Sequence, residues 1–496
     1  MATEDSKSDS IVVRIRRNPG PAARWGAVMA VLLAVEFGAL WGGIMALPWD
    51  TPINAIAGVL PGAIGGAIKG FTGAFADVGR WLADLPTLLD RELVPNQGYN
   101  HPERGWVGTF MGLEPAYAWL IRVGLVYVYA FFFAYWTWRG YFMFRRHYRY
   151  ADWTPADDML DRFRGHNWGK FGLVLVLLLV TMAVFAPTVS PTTAEKNLKD
   201  PSGNYVEYWD EDLGEVGNVS VTNANLFSAS KGTTQNVGIW EYDNYDRFHP
   251  VGTMSQASNG KDLFTFMAYG ARVSIFIGVF ASVIAGGIAL SLALLTAYYR
   301  GLVDLVAVLT SDAFQAMPQL LVLIMLVTVL ADHWLSSIYS GGFLIALLFG
   351  IWGWMGLWRA VRGPAFQIVQ NEWVMASQGF GERPWNIVRK HVAPYVIGYL
   401  LIYLSMSVGG YMIGAASLSY LGLGVEAPTP EMGRAIARGQ SLITTQSWHI
   451  SVVPGLAITL LVLGFNALGD GIRDAIDPKT SGDDAAGETA AAGGGA

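Results

Sequence analysis

Cysteine is absent from this chain of 496 residues. Its absence excludes disulfide bonds, thiolate metal sites and a cysteine nucleophile. Charged residues are also scarce, at 15% of the sequence, whereas soluble domains contain about 25%. The net charge of −6 forms no basic region, so the electrostatic footprint of a nucleic-acid-binding protein is missing. Because 52% of the residues are hydrophobic, the composition predicts an integral membrane protein.

Sequence signatures of nucleotide binding and catalysis are missing as well. The P-loop pattern G-x-x-x-x-G-K-[ST] does not occur, because the Gly-Lys pair at Gly260 lacks the upstream glycine and is followed by Asp262. The histidines His166, His249 and His449 are not spaced as metal ligands. We therefore expect this chain to contribute no catalytic residue and no metal site, and to bind no cofactor itself.

Long apolar runs are what the sequence has in abundance. A bilayer-spanning helix needs about 20 mostly apolar residues, because every backbone N–H and C=O must be hydrogen-bonded within the segment. The sequence therefore predicts an all-α polytopic membrane protein with about eight transmembrane helices. The predicted spans are 25–47, 116–138, 171–186, 273–298, 305–330, 343–358, 396–416 and 450–469.

Basic residues are concentrated in loops that alternating spans place on one face of the membrane. Arginine and lysine are frequent before the first span, in 139–170 and in 359–395, whereas 187–271 carries an acidic cluster that includes Glu207 and Glu215. The positive-inside rule assigns basic loops to the cytoplasm. We therefore expect the protein in the cytoplasmic membrane, with both termini in the cytoplasm and 187–271 outside.

One glycine-rich segment, 53–76, leaves the number of spans open. Its large apolar residues recur at helical spacing, but Pro61 interrupts it and Lys69 lies within it. A spanning helix here would place the basic N-terminus and the basic loop 139–170 on opposite faces of the membrane. We favour a helix at the membrane interface, with a re-entrant hairpin and a true span as the alternatives.

Three regions are predicted from these patterns. The first is an N-terminal extension with two transmembrane helices and the glycine-rich interfacial segment. The second holds the other six spans, an extracytoplasmic segment and a charged cytoplasmic loop, and the third is a low-complexity tail that we expect to be disordered. The regions are 1–165, then 166–478 with its extracytoplasmic segment 187–271 and its cytoplasmic loop 359–395, then 479–496.

The charged loop contains a pattern of two short helices. Residues 372–378 lack glycine and proline and are predicted to form two helical turns. Gly381 and Pro384 break that helix, and a second short helix over 385–392 is expected to end at Pro394, before the membrane. Spacing alone is equally compatible with a solvated connector and with a surface that another protein binds.

The spacing within this loop resembles the cytoplasmic coupling loop of ABC importer permeases. That motif has Glu, then Ala-Ala at the fourth and fifth positions after it, Gly at the ninth, Ile at the fifteenth and Pro at the twenty-second. The matching residues are Glu372, Ala376, Ser377, Gly381, Ile387 and Pro394, of which Ser377 departs from the second Ala. In the expected order around it, "GKDLFTFMAYGARVS", "SLSYLGLGVEAPTPEMG" and "PGLAITLLVLGFNALGDGIRDAIDP" resemble the C-type permease subunit of dipeptide and oligopeptide importers.

The resemblance implies a function and a set of partners. Six of the predicted helices would form the permease core, which pairs with a B-type permease subunit to form the translocation pathway. An extracytoplasmic solute-binding protein would deliver dipeptides or oligopeptides, and two ATP-binding subunits, which hold the ATP and Mg, would act through the loop. The spacer between Thr253 and Gly260 is longer than in the family, and the first 165 residues lie outside the resemblance. No residue identifies the substrate, so nickel complexes and oligosaccharides stay as alternatives to peptides.

Two carboxylates inside predicted spans motivate a different function. Intramembrane acids commonly mark ion or proton pathways, so Asp312 and Glu36 would be the working charges of an ion-gradient-driven secondary transporter or channel. We expect a structural role instead, in which Asp312 lines the pathway or pairs with a neighbouring helix. Glu36 would pair with the second span, whose ends carry Arg122 and Arg139. A membrane-anchored scaffold or enzyme acting through 187–271 is the third hypothesis.

Overall fold

Helices dominate the computed structural model, which describes residues 11–45, 53–54, 57–58, 60, 62–85, 87, 89–151, 153–226, 236–254 and 260–476. In chain order the helices are α1 (Ile11–Arg17), α2 (Pro19–Val35), α3 (Phe37–Met45), α4 (Gly62–Ala83), α5 (Pro115–His147), α6 (Pro155–Gly165), α7 (Asn167–Val184), α8 (Ala186–Val189), α9 (Val221–Leu226), α10 (Leu263–Tyr299), α11 (Gly301–Gln315), α12 (Gln319–Val329), α13 (Trp334–Ser337), α14 (Gly342–Val369), α15 (Glu372–Gly379), α16 (Pro384–Ile387), α17 (Ala393–Tyr420), α18 (Met432–Gly439) and α19 (His449–Ile476). Antiparallel hairpins join β1 (Tyr99–His101) to β2 (Gly105–Val107), β3 (Tyr205–Asp210) to β4 (Glu215–Ser220), and β5 (Glu241–Tyr242) to β6 (Phe248–His249).

The helices that could span a membrane lie where the apolar runs of the sequence predicted them. Over the described residues, six helical segments are long and apolar enough to cross a bilayer, and α11 with α12 would be a seventh if the bent pair is one span. These segments coincide with seven of the eight predicted spans, which confirms the all-α polytopic membrane fold. The six are Pro115–His147, Asn167–Val184, Leu263–Tyr299, Trp334–Val369, Pro384–Tyr420 and His449–Ile476.

Two of the predicted spans are interrupted. The span predicted over 25–47 is split into α2 and α3, because the backbone at Glu36 leaves the helical region with φ −117 and ψ 20. The span predicted over 305–330 bends by 82° between α11 and α12. Pro318 lies at that bend in an extended conformation, and a proline cannot continue the preceding helix because it lacks a backbone N–H.

The glycine-rich segment contributes helix α4, which is not among the described helices that are apolar enough to span. Glycine lets α4 approach α3 closely. A Cβ at Gly79 would lie 2.3 Å from Met45 Cε, and Trp41 Nε1 donates a hydrogen bond to the Gly79 carbonyl at 2.9 Å. The opposite side of the helix exposes large apolar residues such as Phe71 and Trp81. Whether this helix lies at the membrane interface, re-enters the membrane or spans it stays a prediction.

Packing divides the chain into two compact units, which interleave in sequence. The first unit joins the N-terminal helices to most of the 187–271 segment, and the second holds the remaining helices. The first unit is Met1–Pro155 with Thr181–Ala268, and the second is Ala156–Val180 with Tyr269–Ala496. The predicted regions 1–165 and 166–478 stay predictions, and the predicted disordered tail 479–496 lies outside the described residues.

Two buried ionisable side chains of the first unit, Arg122 and Glu36, hydrogen-bond to backbone groups rather than to opposite charges. Arg122 is fully buried and donates to the carbonyls of Val94 and Ser190 at 2.9 and 3.0 Å. Glu36 Oε1 accepts a hydrogen bond from the backbone N–H of Leu89 at 3.1 Å. The predicted pairing of Glu36 with the second span is therefore wrong, because the connecting loops supply the partners of both side chains.

Small residues allow the helices of the second unit to pack closely. Fully buried alanines recur at every fourth position of α10, on the face that meets the core. At Gly350 of α14, an added Cβ would lie 2.7 Å from Ile284 Cβ of α10, so the close approach of these helices requires glycine. The alanines are Ala281, Ala285, Ala289, Ala293 and Ala297.

Candidate functional site

The candidate site is the charged loop 372–394, and its first arm is helix α15. Asn371 precedes the helix in an extended conformation, and its carbonyl accepts from the backbone N–H of Val374 at 3.0 Å. Glu372 lies in the first turn, where a carboxylate interacts favourably with the helix dipole. Val374 is fully buried in the core of the second unit, whereas Ala376 on the other face is exposed. The arm is thus anchored on one side and accessible on the other.

Gly381 forms the bend between the two arms. Its φ of +75 lies in the left-handed region that favours glycine. The N–H of Gly381 donates to the carbonyl of Gln378 at 3.0 Å, and the N–H of Glu382 donates to that of Ser377 at 3.2 Å. This pair of bonds is the Schellman arrangement that satisfies the last carbonyls of a helix. The bend predicted at Gly381 is therefore present.

The second arm runs without a break into a membrane helix, which contradicts the end predicted at Pro394. Helix α16 begins at Pro384, a π-helical turn covers Val388–Val392, and α17 continues directly to Tyr420. Proline leaves one carbonyl of the preceding turn without its usual donor. The wider π-helical turn lies immediately before Pro394 and lets the helix continue through it, because its hydrogen bonds connect residues one position farther apart.

Side chains tie the two arms together. Glu382, just after the bend, lies 3.1 Å from His391 Nε2 and 3.6 Å from Lys390 Nζ. The ring of Trp373 on the first arm packs against those of His391 and Tyr395 on the second, with centroid distances of 6.2 and 5.3 Å. These contacts restrict the angle between the arms.

Two aromatic side chains at the bend are left largely uncovered by the described part of the chain. Phe380 is 90% exposed and Trp385 is 70% exposed, although both lie in a polar loop. Burying a phenylalanine side chain is worth about 1.5–3 kcal/mol, so an uncovered pair marks a surface suited to a partner. The sequence analysis did not select these residues. The signal available to it was an aromatic on each side of the Gly381–Pro384 break.

The residues selected by the motif have different environments. Glu372, Ala376, Gly381 and Pro394 are exposed, and Ser377 is partly buried with its hydroxyl donating to the Trp373 carbonyl at 3.0 Å. Ile387 is fully buried in the core cluster of the second unit. It can therefore fix the second arm in place but cannot contact a partner.

Asp312 is paired with a neighbouring helix, which is one of the two roles predicted for it. Its carboxylate forms an ion pair with Arg359 of α14. Arg359 also donates through Nε to the hydroxyl of Ser311 at 3.1 Å. A second ion pair, between Asp304 and Arg362, joins the same two helices. Together they connect α11 to the end of α14 that leads into the loop.

Comparison with known proteins places most of the chain among transport proteins. Residues 254–482 match the family described as "Binding-protein-dependent transport system inner membrane component". Residues 154–203 match the family described as "N-terminal TM domain of oligopeptide transport permease C". Neither match reaches the first 153 residues. The resemblance seen in the sequence motifs is confirmed, and the match begins at residue 154, slightly before the end of the 165 residues expected to lie outside it.

Two curated relatives show the same extent of similarity. The oligopeptide transport system permease protein OppC of Bacillus subtilis (strain 168) is 30% identical over 322 residues, which cover 65% of this chain and 89% of that protein. The glutathione transport system permease protein GsiD of Escherichia coli O157:H7 is 30% identical over 331 residues, which cover 66% of this chain and 92% of that protein.

Proposed function

Because this chain belongs to the inner-membrane permeases of binding-protein-dependent ABC importers, we propose that it forms half of the translocation pathway for dipeptides or oligopeptides. The two relatives are named for oligopeptide and glutathione transport, which supports a peptide substrate. Its partners in this proposal are a B-type permease subunit, two ATP-binding subunits that hold the ATP and Mg, and an extracytoplasmic solute-binding protein.

The geometry of the loop at Gly381 is the observation that carries the proposal. Coupling needs an element that is fixed firmly to the permease and still presents a surface to the ATP-binding subunit. Val374 and Ile387 are fully buried and provide the attachment. Phe380 and Trp385 provide the surface, since both are apolar and largely exposed. The loop would act as a lever whose contact point is the bend.

The proposed orientation follows from this role. ATP-binding subunits are cytoplasmic, so the loop and both termini face the cytoplasm, and the 187–271 segment faces the other side. The basic residues in 139–170 and 359–395 agree with this orientation by the positive-inside rule.

The ion-gradient alternative finds less support in the environment of Asp312. Asp312 forms an ion pair with Arg359, whereas Glu36 accepts one backbone hydrogen bond from Leu89 and its other carboxylate oxygen has no hydrogen-bond partner among the described residues. A proton-carrying acid needs to change its protonation state during transport. An arginine partner opposes that change, because it stabilises the ionised carboxylate.

Reconstitution tests the proposal directly. The chain is co-expressed with its neighbouring permease and ATP-binding reading frames, purified through a tag on this chain alone, and placed in proteoliposomes. We expect both ATP-binding subunits to co-purify and peptide uptake to require ATP and the solute-binding protein. A cysteine at Gln378, which is exposed beside the bend, should cross-link to the ATP-binding subunit. Uptake by this chain alone, driven by a proton or sodium gradient, would contradict the proposal.

A further inference from the structure

A polar cavity of about 240 Å³ lies within the first compact unit, outside the helices of the permease core. Strand β3 and the 96–98 loop form part of its wall, together with Lys196 and Arg247. Its volume is below the range of about 300–1,000 Å³ that is typical of pockets for drug-sized ligands. The cavity is therefore suited to a molecule of the size of an amino acid or a dipeptide.

A buried, charge-balanced network makes one wall of this cavity rigid. His249 Nδ1 lies 2.9 Å from Asp262 Oδ2, and Arg247 Nε donates to Asp243 Oδ2 at 2.6 Å. Burial alone would lower the pKa of His249, but its hydrogen bonds to Asp243 and Asp262 outweigh burial and raise that pKa. With His249 protonated, two cations balance two carboxylates. The network therefore fixes the wall without adding net charge.

Two further charges line the cavity and are not paired with each other. Lys196 is half-buried, and within the described part of the chain its ammonium has no hydrogen-bond or ion-pair partner. Burial and the nearby guanidinium of Arg91 lower the pKa of Lys196, whereas Glu207 raises it. Glu207 lines the same cavity, and its carboxylate likewise forms no ion pair with any described residue. One cation and one anion thus remain available to a ligand.

Asn96 gives independent evidence that something polar binds here. It lines the cavity and is only 3% exposed, yet its Oδ1 has no hydrogen-bond partner among the described residues. An unsatisfied buried acceptor is destabilising, so such groups are rare unless a ligand or water satisfies them. An acceptor in the same cavity as the carboxylate of Glu207 would complement a donor-rich group such as an ammonium.

We propose that this cavity binds a small zwitterion, either a free amino acid or a dipeptide, with Lys196 holding its carboxylate and Glu207 and Asn96 holding its ammonium. A simple anion would face the carboxylate of Glu207, and a simple cation would face Lys196 and Arg247. A ligand that carries both charges satisfies both sides. The site lies outside the core that would form the pathway, so it goes beyond the transport function proposed above.

Calorimetric titration of the purified full chain in lipid nanodiscs, without partner subunits, tests this site. The probes are L-alanyl-L-alanine, its N-acetyl derivative and its C-terminal amide. We expect saturable binding of the free dipeptide that is weakened about tenfold or more by removal of either terminal charge, because hydrogen bonds to charged groups are stronger than those to neutral groups.

Charge-removing variants assign each end of the ligand. Lys196→Gln should bind the free dipeptide and its amide equally weakly, and Glu207→Gln should no longer distinguish the free from the acetylated amine. Lys196→Arg should restore binding, which separates loss of the charge from loss of folding. Lys199→Gln is the matched control, because Lys199 is exposed in the same turn, pairs with Glu195 at 3.7 Å and does not line the cavity.

Two results would overturn the proposal. One is the absence of saturable binding to the wild-type chain at millimolar dipeptide. The other is binding that Lys196→Gln and Glu207→Gln leave unchanged, because the dipeptide would then occupy another part of the molecule. Neither result bears on ATP-driven uptake by the assembled importer, so this site and the transport function fail separately.

Discussion

Gly381 offers the sharpest test of the coupling role, because its conformation is the single feature that a substitution there changes. Its φ is +75, and an added Cβ would meet no atom within 4 Å. The left-handed conformation costs a residue with a side chain about 1–2 kcal/mol, and no steric clash adds to that cost here. We therefore expect Gly381→Ala to lower the population of the bent loop about 5- to 30-fold relative to its alternatives.

A graded series separates backbone strain from other effects. Gly381→Val should be more damaging than Gly381→Ala, because a β-branched residue tolerates a positive φ least well. Gly381→Asn should be the mildest, since asparagine adopts the left-handed conformation readily. Gly379→Ala is the matched control, because Gly379 lies in α15 and a Cβ there also meets no atom within 4 Å. Alanine favours a helix over glycine by about 1 kcal/mol, so this control should retain coupling.

The assay measures two quantities in the reconstituted importer: the affinity of the permease pair for the ATP-binding subunits, and the peptide imported per ATP hydrolysed. Both should fall in the order of the series, and membrane insertion should stay unchanged. If only the bent loop binds the ATP-binding subunits, the apparent affinity falls by the same factor as the fraction of loops that are bent, which is at most about 5- to 30-fold for Gly381→Ala. Unchanged affinity and stoichiometry in Gly381→Val would show that the loop is only a connector. An asparagine variant as defective as valine would show that strain is not the cause.

Three other changes probe separate parts of the molecule. Phe380→Ser should weaken binding of the ATP-binding subunits about ten- to hundredfold, because it removes the apolar surface that the partner would bury. A change below twofold would exclude this side chain from the interface. A cysteine at Leu213, which is 71% exposed at the turn after β3, should react with an impermeant thiol reagent in whole cells, whereas one at Ala156 should not; the opposite pattern would reverse the topology. Protonated His249 stabilises its unit below a pH of about 6.5, and this stabilisation is lost as pH rises through its raised pKa. As pH rises above about 6.5, the melting temperature of the wild type should therefore fall more than that of His249→Gln, and parallel curves would contradict the charged network.

The sequence predicted the parts of the fold that depend on local composition. Apolar length predicted where the membrane helices lie, and the motif spacing predicted the bend at Gly381. Hydropathy indicates how long an apolar segment is but not where its helix breaks or bends, so the break at Glu36 and the 82° bend at Pro318 were not expected. Pro394 was interpreted from its general effect on helices. The π-helical turn that accommodates it depends on the local backbone, which the spacing does not show.

Partners distant in sequence could not be predicted from local patterns. The Asp304–Arg362 ion pair joins residues 58 positions apart, and Glu36 bonds to a backbone N–H 53 positions away. Tertiary packing selects such partners, and several chemically suitable groups exist for each. The exposure of Phe380 could not be predicted from the sequence either, because it depends on which other parts of the folded chain pack against this side chain.

The uninterrupted helix from Pro384 to Tyr420 sets the amplitude of any movement that starts at the loop. Its 37 residues correspond to a rod of about 55 Å, at about 1.5 Å per residue. If the rod pivots near its centre by about 5°, each end moves about 2.4 Å, and the two ends move in opposite directions. A movement of about 2.4 Å at the end that meets the ATP-binding subunit would thus produce a movement of the same size, in the opposite direction, at the far face of the membrane. The same segment would close one side of a pathway as it opens the other, without a second moving part.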